Sequence, residues 1–331
     1  RQMCIRDSDS IDQTQILVKK LSKIERRVRL INRIGRYGLS SAINEGCLNS
    51  TGEVIAIMDS DGQHEVKSVY EAIDLLINGN CDLIIGSRFL EKSSTKGLSA
   101  KRKDGSSYAN ILARNTLSKE YRDITDYMSG CFVLKTISCM EEIKKIDVNG
   151  FKFLYELLAL TKGKLKIKEI PLQFKSRKFG YSKLDIAVIW DFVISLIHTF
   201  INRVIPRKAI SFGVVGSIGV LVHLAMVYFL TNITRLSFIQ VLPFAGISAA
   251  SSNFLINNMF TFRNKRLRGI GLFYGLLKFL MVSSIPLVAN VGLAASYYTF
   301  ISPNTFISQM AGIIVVFIWN YVASSKFVWK E

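Results

Sequence analysis

The sequence predicts two unlike domains in series. An α/β domain runs to about residue 184, and an all-α domain with four transmembrane helices fills 209–331. Three observations carry this reading. Up to residue 89, apolar strand-like runs alternate with helix-period segments, the pattern of an α/β domain with a largely parallel sheet. Four long apolar stretches, roughly 209–230, 238–262, 271–300 and 304–328, close the chain, and each can supply the ~20 residues that cross a bilayer. Charge divides along the same line. The chain carries a net +18, yet residues 209–331 hold eight Lys/Arg and a single acid, Glu331, against 35 basic and 24 acidic residues before them. Nearly every carboxylate available for acid–base or metal chemistry therefore lies in the first domain.

Taken in order, the first eight residues, "RQMCIRDS", show no apolar signal core and no periodic pattern. They read as a candidate foreign scar on a shortened reading frame. "TQILVKKLSKI" (14–24) has helical spacing, and "RVRLINR" (27–33) alternates as a short strand. A helix follows from near Ser40 to before Gly52. "EVIAIMD" (53–59) is a continuous apolar run closed by Asp, expected to be a strand buried on both faces. "VKSVYEAIDLLING" (66–79) is helical with Gly79 as its stop, and "CDLIIGSRF" (81–89) is a second buried strand. Ligands of such sheets gather at the carboxyl ends of strands, where Asp59, Asp61, Gly86, Ser87 and Arg88 fall. The five cysteines are scattered with no CxxC pair, so buried reduced thiols are expected rather than zinc or a disulfide framework.

Residues 185–208 form a linker of their own kind. Asp191, Ser195, His198, Thr199, Asn202 and Arg203 make one polar stripe along an otherwise apolar helix. It either lies in the membrane interface or packs as an ordinary amphipathic helix on the first domain. Beyond it, the link "RNKRLR" (263–268) holds four basic residues, and the links "TNITRLS" and "ISPNT" hold one between them. The positive-inside rule then puts the middle link, the first domain and both termini on the cytoplasmic side. The apolar half also repeats itself. An offset of 67 aligns Phe212 with Phe279, Ser217 with Ser284, Ile218 with Ile285, Asn253 with Asn320, Phe254 with Tyr321, Phe260 with Phe327 and Phe262 with Trp329. Each half would be one helical hairpin, in a parallel repeat; chance likeness between apolar segments is the alternative.

The segment "IAIMDSDGQH" (55–64) raises the question of chemistry. Two carboxylates flanking one residue at a strand end can surround a hard divalent cation, Mg2+ or Mn2+, shared with a substrate diphosphate, and the Gln63 amide oxygen adds a neutral donor. Such a metal stabilises a departing diphosphate. The same residues could instead only build a turn and cap the next helix.

The surrounding motifs decide between these. "STGEVIAIMDSDGQHEVKSV" resembles the donor-site segment of family 2 glycosyltransferases, and more motifs match the dolichol- or polyprenol-phosphate mannose synthase branch. "DLIIGSRF", "KRKDGSSYANILA", "DYMSGCFVL", "GFKFLYELL" and "IPLQFKSRKFGYSKL" follow in that branch's order, so the resemblance covers about 12–184. "NFLINNMFTF" (253–262) and "WNYVASSKFVW" (319–329) resemble a GtrA-like four-helix domain. The resemblance implies an α/β GT-A (Rossmann-like) catalytic domain over 1–184, whose family first strand is missing. "DSDSIDQT" (7–14) stands where the family has its Asp-Asp-x-Ser-x-Asp-x-Thr stretch, with Ser8 in place of the second Asp, and Cys131 departs from the usual "SGF".

What the resemblance implies for the site is specific. Asp59, Asp61 and Gln63 would hold the metal and the donor diphosphate, with Asp59, Asp61 and Arg88 catalytic. Asp9, Asp12, Arg177 and Lys183 would join Asp59 and Asp61 on the nucleotide sugar, Arg177 and Lys183 closing from the "SRKFGYSK" loop. Arg88, Arg102 and Ser106 would face a lipid phosphate. The implied reaction moves a sugar, mannose from GDP-mannose first, from a nucleotide sugar to a polyprenyl or dolichyl monophosphate, with inversion. UDP-glucose and UDP-N-acetylhexosamine are the alternative donors. An acceptor phosphate is already anionic, so no strong base is required; His64 reads as packing against or touching the site, and His198 and His223 read as structural. A processive polysaccharide synthase would carry Gln-x-x-Arg-Trp before the membrane segments, which "QFKSRKF" lacks. A non-enzymatic anchor or transporter of lipid-linked sugar is the reading from another class. Nucleic-acid binding would explain the charge but not four apolar crossings.

Overall fold

The computed structural model describes residues 2–7, 13–34, 38–93, 100–148, 152–175, 186–234, 236–301 and 305–330. Contacts divide the chain into two units, Arg1–Arg203 and Val204–Glu331.

The first unit runs β1 (Met3–Asp7), α1 (Thr14–Ile24), β2 (Val28–Asn32), α2 (Leu39–Leu48), β3 (Val54–Met58), α3 (Val66–Asn78), β4 (Leu83–Ser87), α4 (Ala100–Thr116), β5 (Cys131–Lys135), α5 (Thr136–Ile143), α6 (Phe153–Thr161), β6 (Ile167–Pro171) and α7 (Ile186–Phe200). The elements expected between residues 14 and 89 all form, α1 on its predicted residues and α3 stopping at Gly79. The sheet does not follow the parallel expectation. Its order is β3-β5-β4-β6, and β5 runs antiparallel to both β3 and β4, while β6 is parallel to β4. Strand direction depends on how the chain returns after α4, which leaves no mark in local periodicity. β3 is also not buried on both faces. As an edge strand it buries Ile55 and Ile57 but leaves Ala56 and Met58 exposed. β4, inside the sheet, is buried throughout.

The N-terminal segment read as a scar is a strand. β1 pairs in parallel with β2 from Met3–Val28 to Asp7–Asn32. Its Asp7 carboxylate accepts from Gln15 Nε2 at 2.7 Å, and Arg6 donates to the Glu45 carbonyl at 3.1 Å. Five residues with two charges at one end carry too little alternation to be read from sequence.

The core of this unit packs α2, α4, α5 and α6 against one face of the sheet through Ile85, Phe132, Leu134, Phe153, Leu157 and their neighbours. The helix expected as a separate linker joins it. Phe192 and Leu196 of α7 enter the core, and Phe192 meets Tyr155 edge-on at 6.0 Å. Most of its polar stripe faces inward, with Asn202 left exposed. Ser195 and His198 are buried, and Arg203 forms an ion pair with the fully buried Glu156. The apolar residues Ile186, Ile189, Val193 and Phe200 are left exposed.

The second unit is helical: α8 (Arg207–Ile233), α9 (Phe238–Ile256) continuing into a π turn (Asn257–Thr261), α10 (Ile270–Phe300), and α11 (Thr305–Ala323) continuing into a second π turn (Ser324–Val328). α8 packs chiefly on α9, and α10 on α11, as two hairpins. Phe212, Phe254, Phe262, Phe279, Val328 and Trp329 form the core. The four expected apolar stretches are all helical, but among the described residues only α8 is long and apolar enough by itself to cross a membrane.

Candidate active site

Asp59 follows the last residue of β3, and its N–H donates to the Gly130 carbonyl at 3.1 Å, just before β5 begins. The Asp59 carboxylate lies over Gly130, and a Cβ there would overlap it. A side chain at 130 would therefore displace the Asp59 carboxylate. Two residues on, the Asp61 carboxylate accepts from the Gln63 N–H at 3.1 Å, an Asx turn that lifts the chain off the sheet edge. Gln63 is buried. Its Nε2 donates to the Lys175 carbonyl at 3.0 Å, and the Lys175 N–H returns a bond to the Gln63 carbonyl at 2.9 Å. The aspartate loop is thereby tied to the strand segment that leads into residues 176–185. His64 sits beside it, with Nε2 4.0 Å from Asp59 Oδ2 and its ring edge-on to Phe174 at 5.3 Å. Burial pushes the His64 pKa down, with Arg88 and Lys152 adding to burial and Asp59 and Asp61 opposing it.

Arg88 follows β4 and is held as a fork. Its Nε and Nη2 donate to the two oxygens of Asp126 at 2.7 and 2.8 Å, and its own N–H reaches Asp126 at 3.2 Å. Asp126 is fully buried. Burial opposes the Arg88 charge, but Asp126 more than offsets it and raises the guanidinium pKa. Nη2 also reaches Ser106 Oγ on α4 at 3.4 Å, which leaves Nη1 as the nitrogen engaged by neither Asp126 nor Ser106. The Phe89 and Phe174 rings lie 5.5 and 5.7 Å from the guanidinium carbon. Beneath this pair, Glu169 of β6 accepts from the Thr125 and Asp126 N–H groups at 2.9 and 3.1 Å, and burial raises its pKa. Lys152, capping α6, completes the site. Burial lowers its pKa, and the charges it feels are Asp59, Arg88, Asp126 and Asp61.

The structure thus brings Asp59, Asp61, Gln63, Arg88 and Ser106 of the expected set into one electrostatic neighbourhood. Arg102 lies on α4, and its side chain falls outside the described residues, as do Asp9, Asp12, Arg177 and Lys183 entirely. Asp126, Lys152, Phe174 and Glu169 were given no role by sequence reasoning. Asp126 and Lys152 stood inside quoted motifs, but only the insertion of β5 beside β4 makes them neighbours of Arg88. Among the described residues no three His, Cys, Asp or Glu side chains gather to hold a metal. The oxygen donors of Asp59 and Asp61 do fit a hard divalent cation. The Gln63 nitrogen is spent on Lys175, so its oxygen is the atom that could join them.

Comparison with known proteins extends this picture. Residues 1–140 match the family described as "Glycosyl transferase family 2", and residues 211–329 match "GtrA/DPMS, transmembrane domain". The dolichol-phosphate mannosyltransferase of Pyrococcus furiosus is 31% identical over 326 residues, 98% of this chain and 89% of that protein. The chain belongs to the dolichol-phosphate mannosyltransferase family. Within it, the Mycosarcoma maydis dolichol-phosphate mannosyltransferase is 31% identical over 225 residues, 67% of this chain and 72% of that protein. The Mycolicibacterium smegmatis polyprenol monophosphomannose synthase is 28% identical over 187 residues, 54% of this chain and 68% of that protein. Among solved structures, glucosyl-3-phosphoglycerate synthase from Mycobacterium tuberculosis in complex with Mn2+ and UDP superposes at a TM-score of 0.42 with 16% identity, covering 61% of this chain and 68% of that one. This member of the mannosyltransferase family is therefore a glycosyltransferase with a GtrA-type membrane domain, and the family 2 match, over residues 1–140, includes β1.

Proposed function

We propose that this protein transfers mannose from GDP-mannose to a polyprenyl or dolichyl monophosphate at the cytoplasmic face of a membrane, with inversion at the sugar. The observation that carries the reading is the convergence of the Asp59–Asp61 loop with the Arg88–Asp126 fork. One side of the site offers carboxylates for a cation on the donor, and the other offers a guanidinium for an acceptor anion. Mg2+ or Mn2+ would be held by Asp59 and Asp61, with the Gln63 oxygen, and when bound would neutralise the departing diphosphate. Arg88 presents Nη1 and the shared Ser106 edge to the lipid phosphate, and Asp126 fixes the plane of the fork so that little order is lost on binding. Arg102 adds a second cation from α4. Asp9 and Asp12 serve the nucleotide, and Arg177 and Lys183 close over the phosphates from the loop that Gln63 anchors through Lys175. The acceptor is anionic at neutral pH, so no side chain need remove a proton.

The membrane half crosses four times, through α8, α9 with its π turn, α10 and α11 with its π turn, with the basic 263–268 link, both termini and the catalytic unit cytoplasmic. The exposed apolar edge of α7 fits the membrane interface. UDP-glucose or a UDP-N-acetylhexosamine is the donor to test next, because carboxylates on a cation read the diphosphate and not the base.

The test uses membranes carrying the full chain, polyprenyl phosphate, Mn2+ or Mg2+, and radiolabelled GDP-mannose. Metal-dependent label in the lipid extract, lost in Asp61→Ala, is expected. Label from a UDP-sugar alone would change the donor. No label from any donor, with folded protein in the membrane, would overturn the reaction.

A further inference from the structure

The helical unit is built twice, and both copies leave their polar groups unsatisfied at the same places. The offset of 67 maps the π turn Asn257–Thr261 onto Ser324–Val328 residue for residue. It maps the closing bonds as well. The Phe262 N–H donates to the Asn257 carbonyl at 2.8 Å, and the Trp329 N–H donates to the Ser324 carbonyl at 3.2 Å. The aromatic contacts obey the same rule. Phe212 meets Phe262 edge-on at 6.5 Å, and Phe279 meets Trp329 edge-on at 5.9 Å. Phe212 crosses to Tyr321 at 5.7 Å, and Phe279 crosses to Phe254 at 5.8 Å. Phe262 and Trp329 are counterparts of each other and stack at 4.1 Å, where a two-fold axis would pass.

Among the described residues of this unit, four buried side-chain oxygens have no hydrogen-bond partner within the protein: Asn253 Oδ1, Asn257 Oδ1, Asn320 Oδ1 and Ser324 Oγ. They form two pairs, 253 with 320 and 257 with 324, each related by the same offset. A packing accident at one position would not recur at its counterpart. The first hairpin shows what surrounds them. Gly219 of α8 lies against the Asn253 amide so closely that a Cβ would overlap it, and Ser211 Oγ meets Thr261 Oγ1 at 2.6 Å. Residues four apart share a helix face, so Val215, between 211 and 219, faces Asn257, between 253 and 261. Val215 and Asn257 are both buried. The offset places Val282 opposite Ser324. A valine offers no donor, and an unmet acceptor in an apolar bundle carries a heavy desolvation penalty. Polar side chains there mark sites, and π turns recur at functional positions.

We propose that each hairpin holds a small neutral hydroxyl donor at its π turn, bound by Asn253 and Asn257 in the first and by Asn320 and Ser324 in the second. The donor is a water molecule or a hydroxyl of a glycosyl lipid head group. The second source rests on the proposed reaction; the site itself does not.

The test is made on the full chain in phospholipid nanodiscs, with wild type, Asn257→Leu and the milder Ser324→Ala. Solid-state NMR reads magnetisation transfer from hydroxyl protons to the asparagine side-chain amides, and thermal unfolding reads stability. The expected result is transfer to Asn257 in the wild type and a midpoint lowered by several degrees in each variant. Variants as stable as wild type, or a wild type without transfer, would overturn the site, since an empty acceptor is better replaced by an apolar group. Added mannosyl-phosphoryl-polyprenol separates the sources. A midpoint that rises in wild type but not in the variants identifies the sugar hydroxyl, and an unchanged midpoint with transfer intact identifies water.

Discussion

The Asp59 carboxylate occupies the volume that any side chain at residue 130 would need. Two strands meet here, with the end of β3 held to the start of β5 by the Asp59–Gly130 backbone bond. Gly130→Ala should therefore push the carboxylate out of line while leaving the sheet standing. We expect sugar transfer to fall at least tenfold, with a stability cost of about 1–3 kcal/mol from overpacking. Transfer rate and denaturant midpoint measured together check this, and an unchanged rate would remove Asp59 from the donor site.

The Arg88 fork depends on a carboxylate with no solvent exposure. Asp126→Ala leaves a buried guanidinium uncompensated and should cost about 3–5 kcal/mol. Asp126→Asn keeps the shape and loses the charge. If the fork serves the acceptor, as proposed, this variant should raise KM for polyprenyl phosphate several-fold more than KM for the nucleotide sugar. Equal rises for both substrates would place Arg88 elsewhere in the reaction.

Glu156 and Arg203 fasten α7 to α6. Breaking this buried pair with Glu156→Ala should cost about 3–5 kcal/mol and expose the amides of α7 before those of β4. Hydrogen exchange resolved by peptide reads the order; simultaneous exchange would mean that α7 is held by its apolar contacts alone.

The thiols report on the same core. Burial pushes Cys47, Cys131 and Cys139 each up to about 12, above the ordinary value they regain on unfolding. Their contribution to stability is whole below the unfolded pKa near 9 and is lost as pH rises from there toward 12. By pH 10.5 the loss is on the order of 2 kcal/mol per thiol, so Cys139→Ala should flatten the alkaline fall in unfolding temperature relative to wild type. At pH 8 only Cys4, exposed on β1, should react with a thiol reagent without denaturant.

Much of this was legible beforehand. Helix period and end signals placed α1 and α3 within a residue, and the offset of 67 seen in the sequence also aligns the two π turns, which the sequence did not predict. Asp59, Asp61 and Arg88 stood out because strand ends advertise themselves. What sequence hid were relations across the sheet. Nothing near residue 131 says that β5 will run antiparallel between β3 and β4, so Asp126 could not be joined to Arg88, nor Gly130 to Asp59. The stripe on α7 was visible, but not the direction it faces, because its partner for Arg203 is the buried Glu156, 47 residues earlier in the chain. β1 was missed because it is short and charged, and because pairing with β2, not its own pattern, makes it a strand.

The central position of β5 also imposes an order on synthesis. β3 and β4 have no hydrogen bonds to each other, so both wait, unpaired, until residue 135 has left the ribosome. β6 then adds to β4, and α7 closes over the core by Phe200. All of this lies ahead of α8 in the chain. The α/β unit thus leaves the ribosome before the segments of the membrane domain, and a stalled sheet would reach the insertion machinery with its edges still open.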